Sequence, residues 1–174
     1  MRGRKPRAEM TMEDIAHMGK KDYEEDIQLD KTDRRILAML AENARTPVKE
    51  IAKANYLSSP AVSSRIRRME ESGIIRGYYA DIDYALLGYH IRAFINLEVN
   101  PKDKAEFYPY IRSLPNVVEC SCVTGDYSML IQVLYQRPEE LDHLVNDLQR
   151  FGHTKTLIAF STSVEHRGVS LSEQ

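Results

Sequence analysis

Between residues 91 and 99 the chain alternates Ile91, Ala93, Ile95, Leu97 and Val99 with Arg92, Phe94, Asn96 and Glu98, the two-residue period of a strand buried on one face. Upstream the period lengthens to that of helices. Ile36, Leu37 and Leu40 form the apolar face of a first helix, which Asp30 can cap and whose positive end suits Asp33. Thr46 and Pro47 read as N-cap and first residue of a second helix, buried through Val48, Ile51 and Ala52. In "LSSPAVSSRIRRMEESG", Ser59 reads as the N-cap, Pro60 as the first helical residue and Gly73 as the positive-φ stop. Val62, Ile66 and Met69 make one narrow stripe that predicts packing on the two preceding helices. Pro60, Ser64, Arg67, Arg68 and Glu71 are expected to point away, and Arg65 falls nearer the packed flank.

After Gly73, "IIRGYYADID" reads as a strand or wing. Ala105, Tyr108 and Ile111 suggest a helix that Pro109 should kink or restart. "VVECSCV" and "YSMLIQVLY" flank a turn at Gly125 and Asp126 and predict a hairpin. Pro138 opens a helix with Leu141, Leu144, Val145 and Leu148 on one face, and "TKTLIAFSTSV" reads as the last strand. The order β-α-β-β-α-β is the ferredoxin-like split arrangement, a four-stranded antiparallel sheet with two helices on one side. The expected fold is therefore α+β: an N-terminal helix-turn-helix, winged-helix-like, followed by a ferredoxin-like βαββαβ domain. The boundaries are a flexible arm over 1–28, the helix-turn-helix over 29–76, a hinge strand over 77–89, the α/β domain over 90–169 and a tail over 170–174. The strands over 91–99 and 130–134 offer more apolar surface than two short helices cover, which predicts a dimer or a larger ring.

Charge matters in this chain through its placement. Residues 29–83 carry ten basic and eight acidic groups, residues 1–28 six and seven, and the remainder eight and eleven, which accounts for the 24 and 26 of the whole chain. A net charge of −2 is low for a generic nucleic-acid binder, so the positions of the arginines decide the reading. No apolar run approaches the ~20 residues of a membrane span, and no apolar core follows the basic start as in a secretory signal. A cytoplasmic protein with no membrane partner is expected.

Cys120 and Cys122 stand two apart in an extended segment and read as reduced core thiols. His17, His90, His143, His153 and His166 show no metal-ligand spacing, and no nucleophile and base can be paired. No metal, no cofactor and no catalytic residue is expected.

Two helices joined by a tight turn, the second presenting short and basic side chains from its N-terminal end, describe a DNA-reading element. The major groove admits a helix, and short side chains let its backbone approach base edges. Ser59, Ser63, Ser64 and Arg67 are the expected readers, with Arg68 and Lys49 placed for phosphate, which positions without specifying. In the arm, "RGRKPR" admits two readings, a minor-groove hook or a basic tail with general phosphate affinity.

The runs "LDKTDRRILAMLAENAR", "LSSPAVSSRIRRMEESGIIRGYYADID" and "VTGDYSMLIQV" resemble the Lrp/AsnC family, the feast/famine regulators, over residues 29–168. The resemblance implies a homodimer built sheet to sheet, octamers or other rings of dimers, binding to double-stranded operator DNA, and response to a small effector, commonly an amino acid. It also implies an effector pocket at the hairpin and last strand, in this chain Gly125, Asp126, Tyr127, Ser128, Leu157, Ile158 and Ala159. Family members commonly carry an acidic residue where this chain has Ser128, so ordinary amino acids are expected to bind weakly, or the effector to lack an ammonium group. Sirohaem decarboxylases resemble the same family and supply the enzyme alternative; Arg67 and Arg68 on a serine-lined helix favour DNA.

Overall fold

A computed structural model describes residues 28–171, so the arm's "RGRKPR" lies outside the described residues. The described residues form two compact units, one of those up to Asp81 together with those from His166 onward, the other Ile82–Glu165.

The first unit holds α1 (Lys31–Glu42), α2 (Val48–Ala54) and α3 (Ser59–Glu71). Asp30 caps α1 through a reciprocal box: its carboxylate accepts from the Asp33 amide at 2.7 Å, and Asp33 accepts from the Asp30 amide at 3.2 Å. Two caps fall one residue from expectation. Pro47 is extended and precedes α2, while Thr46 Oγ1 donates to the Asn43 carbonyl. At α3 the capping hydroxyl is Ser58, which accepts from the Ala61 amide at 3.4 Å, leaving Ser59 as the first helical residue with its hydroxyl outside the cap. Val62 and Met69 are closed to solvent and join Ile36, Ile51 and Ala52 in the core, with Ile66 packed against them.

Residues 76–83 form no strand, contrary to the expected hinge strand, and Tyr84–Leu87 is a 3-10 turn. A strand is defined by its ladder of hydrogen bonds, and these residues pair with no strand of the four-stranded sheet.

The second unit contains β1 (Ile91–Val99), α4 (Lys104–Ser113), β2 (Val117–Cys122), β3 (Met129–Tyr135), α5 (Pro138–Gln149) and β4 (Gly152–Ala159). All pairs are antiparallel in the order β2-β3-β1-β4. Ala93, Ile95, Leu97 and Val99 of β1 and Met129, Ile131, Val133 and Tyr135 of β3 face the two helices, where Phe107, Ile111, Leu141, Leu144, Leu148 and Phe151 complete the core. The buried face of α4 is thus Phe107 and Ile111, and Ala105 is exposed. Pro109 does not break α4, because Ala105, whose carbonyl loses its partner, lies on the solvent side where water can replace it. β4 stops at Ala159, opposite Arg92, short of the expected strand end, and Phe160 is left exposed. Gly152 begins β4 at φ +156°, where an added Cβ would sit 1.7 Å from the Glu98 carbonyl oxygen, so the close approach of β4 to β1 requires glycine.

Cys120 and Cys122 face the helix side opposite Ile131 and Met129, as free thiols. Burial pushes the Cys120 thiol up to about 11. Cys122 is exposed rather than core, because β2 is an edge strand at its end.

Candidate nucleic-acid interface and hairpin site

The three arginines of α3 divide by what they touch. Asp33 is fully buried, and its carboxylate receives Arg65 at 2.8 Å and also Arg68. Arg65 additionally reaches Asp30 at 2.6 Å. These bonds to Asp33 and Asp30 raise the Arg65 pKa above its ordinary value. A buried carboxylate needs such partners, because an unpaired charge away from water is costly. Arg68, expected to be available to phosphate, therefore holds α3 against the start of α1. The partner lies 35 residues upstream, so no local pattern announces the pairing.

Arg67 is different. It is exposed and has no ion-pair or hydrogen-bond partner among the described residues, and the same holds for Lys49 and Lys53 on α2. Ser63 and Ser64 are exposed beside it, and Ser59 is half-buried. α3 thus presents one uncommitted guanidinium and a face of short hydroxyls, held at a fixed angle by the Asp33 clamp.

At the hairpin, Gly125 has φ +115°, the left-handed region in which glycine carries no steric penalty. The Val123 amide donates to the Ser128 carbonyl at 3.0 Å, closing the turn. Ser128 is committed to β1: its amide and hydroxyl donate to the Leu97 carbonyl at 3.1 and 3.3 Å, and its Oγ accepts from the Val99 amide at 2.9 Å. Its hydroxyl serves the sheet instead of facing a ligand. Tyr127 stacks on His153 with ring centroids 6.2 Å apart and planes inclined by 20°. Asp126 is exposed, with no partner among the described residues.

Leu157, Ile158 and Ala159 do not join this group. Leu157 pairs with Phe94 and His153 with Glu98, so the two sites are four residues, or about 13 Å, apart along the sheet. Leu157 and Ile158 also point to opposite faces, as adjacent strand residues must. The face away from the helices carries Phe94, Leu130, Leu134 and Leu157. Leu157 is 49% exposed there.

A winged helix-turn-helix DNA-binding model matches residues 29–76, and an Lrp/AsnC ligand binding domain model matches residues 92–169. The chain belongs to the Lrp/AsnC family. It is a DNA-binding transcriptional regulator of that type, with the helical unit as its winged helix-turn-helix module. Among its relatives, the HTH-type transcriptional regulator LrpB of Bacillus subtilis is 31% identical over 145 residues, covering 83% of this chain and 97% of the relative. The solved structure of Escherichia coli AsnC matches with a TM-score of 0.72 at 31% identity, covering 79% of this chain and 96% of AsnC. A Neisseria meningitidis regulator solved as an L-Met complex matches with a TM-score of 0.74 at 26% identity, covering 82% and 95% of the two chains. No helix among the described residues is long and apolar enough to cross a membrane, and no group of metal-binding side chains occurs among them.

Proposed function

We propose that this Lrp/AsnC regulator reads its operator with Arg67, Ser59, Ser63 and Ser64, that Lys49 contacts phosphate, and that its α/β unit senses a small molecule. The observation that supports the reading is the division of α3: Arg65 and Arg68 bind Asp33, and Arg67 alone of the three has no partner among the described residues. Arg67→Ala is expected to cost about 1–3 kcal/mol at the preferred site and to blur base preference there. Selection of genomic fragments by the purified protein, followed by sequencing, supplies that site. Recovery of fragments with no shared sequence, or equal loss on every duplex, would show that Arg67 is not a base reader.

The effector reading rests on the hairpin. The L-Met complex of the Neisseria relative supports an amino acid as the ligand class. An ammonium group entering this region needs an acceptor, and Asp126 is the carboxylate at hand, since Ser128 is spent on β1. Titration calorimetry with L-methionine should give affinity about ten-fold weaker for Asp126→Asn than for wild type, from losing a charge-assisted bond.

The same geometry supports assembly into a homo-oligomer. The hairpin and Leu157–Ala159 lie too far apart in one chain to line one small pocket, and the apolar sheet face around Leu130 and Leu157 needs cover. A mass above that of the 20.0 kDa chain by light scattering is the expected result. A regulator that meets DNA works in the cytoplasm, and we assign it no enzymatic activity, in line with the regulators it resembles.

A further inference from the structure

The turn between α2 and α3 ends α2 in a full Schellman motif. The Leu57 amide donates to the Ala52 carbonyl at 2.9 Å and the Tyr56 amide to the Lys53 carbonyl at 3.4 Å. This motif puts its central residue in the left-handed region, where glycine is the usual occupant. In this turn that residue is Tyr56, at φ +55°, and it is the described non-glycine residue with positive φ. Leu57, next in line, packs into the helical core as the motif's apolar partner, so the turn is well made in every respect except its residue type. Tyr56 is also 95% exposed, so its ring gains nothing from packing in return for the backbone conformation it occupies.

What surrounds Tyr56 in the chain is the DNA-reading apparatus. Ser58, two residues later, caps α3, and Ser59 opens it. Lys49 and Lys53 stand one helical turn apart on the exposed side of α2, and Tyr56 follows Lys53 by three residues. Lysines and tyrosine hydroxyls are ordinary donors to phosphate oxygens, and such contacts fix register without reading sequence. We propose that Tyr56 is a DNA-positioning residue whose hydroxyl donates to a backbone phosphate beside the groove entered by α3, completing a track begun by Lys49 and Lys53. The inference rests on DNA binding through α3 and adds a contact that precedes it in the chain.

Two substitutions separate this role from a structural one. Tyr56→Gly suits the left-handed conformation, so it should raise the urea midpoint of the free protein while weakening its binding to DNA. Tyr56→Phe keeps ring and backbone and loses only the donor. Binding of each to a fluorescent random-sequence 30-base-pair duplex should weaken by roughly ten- to hundred-fold, the range for one hydrogen bond to a charged acceptor. Mass-spectrometric footprinting with a tyrosine-acetylating reagent should also show Tyr56 reacting rapidly in free protein and protected on the duplex. Wild-type affinity for both variants, or a Tyr56 that stays reactive on saturated duplex, overturns the contact. If the phenylalanine variant alone binds like wild type, the hydroxyl assignment is overturned. Failure of wild type itself to bind the duplex would instead strike the reading of α3, which keeps the two failures distinct.

Discussion

In the α/β unit the centre consists of Phe107, Ile131, Leu148, Phe151 and their neighbours, all apolar. In the helical unit, beside five buried apolar residues there is a carboxylate, Asp33, that is as closed to solvent as they are. Three short helices bury little apolar area, so their packing angles are weakly determined by shape alone. A sheet backed by two helices buries enough to fix itself. The helical unit uses a charged clamp in that role, and the clamp holds the helix whose orientation DNA reading depends on. Buried ion pairs are poor sources of net stability, because desolvation offsets much of the attraction, but they penalise every arrangement that leaves the charge unpaired.

The largest effect should come from removing a large side chain from the sheet unit. Phe107 packs edge-on against Phe151, with ring centroids 5.5 Å apart, and against Tyr108. Phe107→Ala should cost about 3–5 kcal/mol by loss of burial and formation of a cavity. Urea unfolding followed by circular dichroism measures it; a loss under about 1 kcal/mol would show that this core does not depend on close packing.

In the helical unit, Asp33→Ala should cost about 2–3 kcal/mol, since it removes charge-assisted bonds to two arginines and the Asp33 half of the α1 capping box, while Arg65 keeps Asp30. The sharper test replaces the whole clamp. A triple variant, Asp33→Leu with Arg65→Met and Arg68→Met, should recover stability to within about 1 kcal/mol of wild type, because apolar replacement of an ion network is often neutral. Its DNA affinity should nevertheless fall at the preferred site more than on random duplex, since α3 loses the constraint on its angle. Full specific affinity in the triple variant would mean that packing alone orients α3.

The sheet unit is more legible in the sequence than the clamp. Strict alternation over residues 91–99 and the face of α5 reflect burial, which repeats at short range and so leaves a mark in the pattern. The face of α4 differs from expectation because Tyr108 and Ala105 keep the period as well as Phe107 does, and only the position of the sheet decides between them. The pairing of Arg68 with Asp33, the capture of the Ser128 hydroxyl by β1 and the positive φ of Tyr56 all depend on backbone brought together from elsewhere or on local geometry that residue type opposes. In the sequence Asp33 is a charge suited to the helix dipole, and only its burial shows the second role. The hinge segment over 77–83 illustrates the converse: its composition suits a strand, yet composition cannot supply a pairing edge.

Ser128 brings a polar contact into the sheet unit and tests how far that unit relies on apolar packing. Ser128→Ala should cost about 1–2 kcal/mol, because the Val99 amide loses its acceptor and a part-buried donor is left unmatched. Hydrogen exchange at Val99 should accelerate with it. Unchanged stability and exchange would show that water takes over the contact and that the strand end is open.

The smallest of these effects lies in the cap of α1 and distinguishes the units by pH. The Asp33 amide, followed by the Arg65 guanidinium, holds the Asp30 carboxyl below its ordinary value of 3.8. A carboxyl depressed in the folded state binds its proton less readily there than in the unfolded chain, so protons favour unfolding. Its contribution is present in full above the ordinary value and is lost as pH falls through the lower folded value. Asp30→Asn keeps an oxygen able to accept from the Asp33 amide and removes the titration, so the difference in urea midpoint between wild type and variant should narrow as pH drops below 3.8. The effect stays small because Asp30 is largely exposed and its bond to Arg65 is screened. Exchange at α1 amides, measured alongside, should follow the same dependence while exchange in β3 does not. A difference that stays constant with pH would place the acid sensitivity of the helical unit on a group other than Asp30.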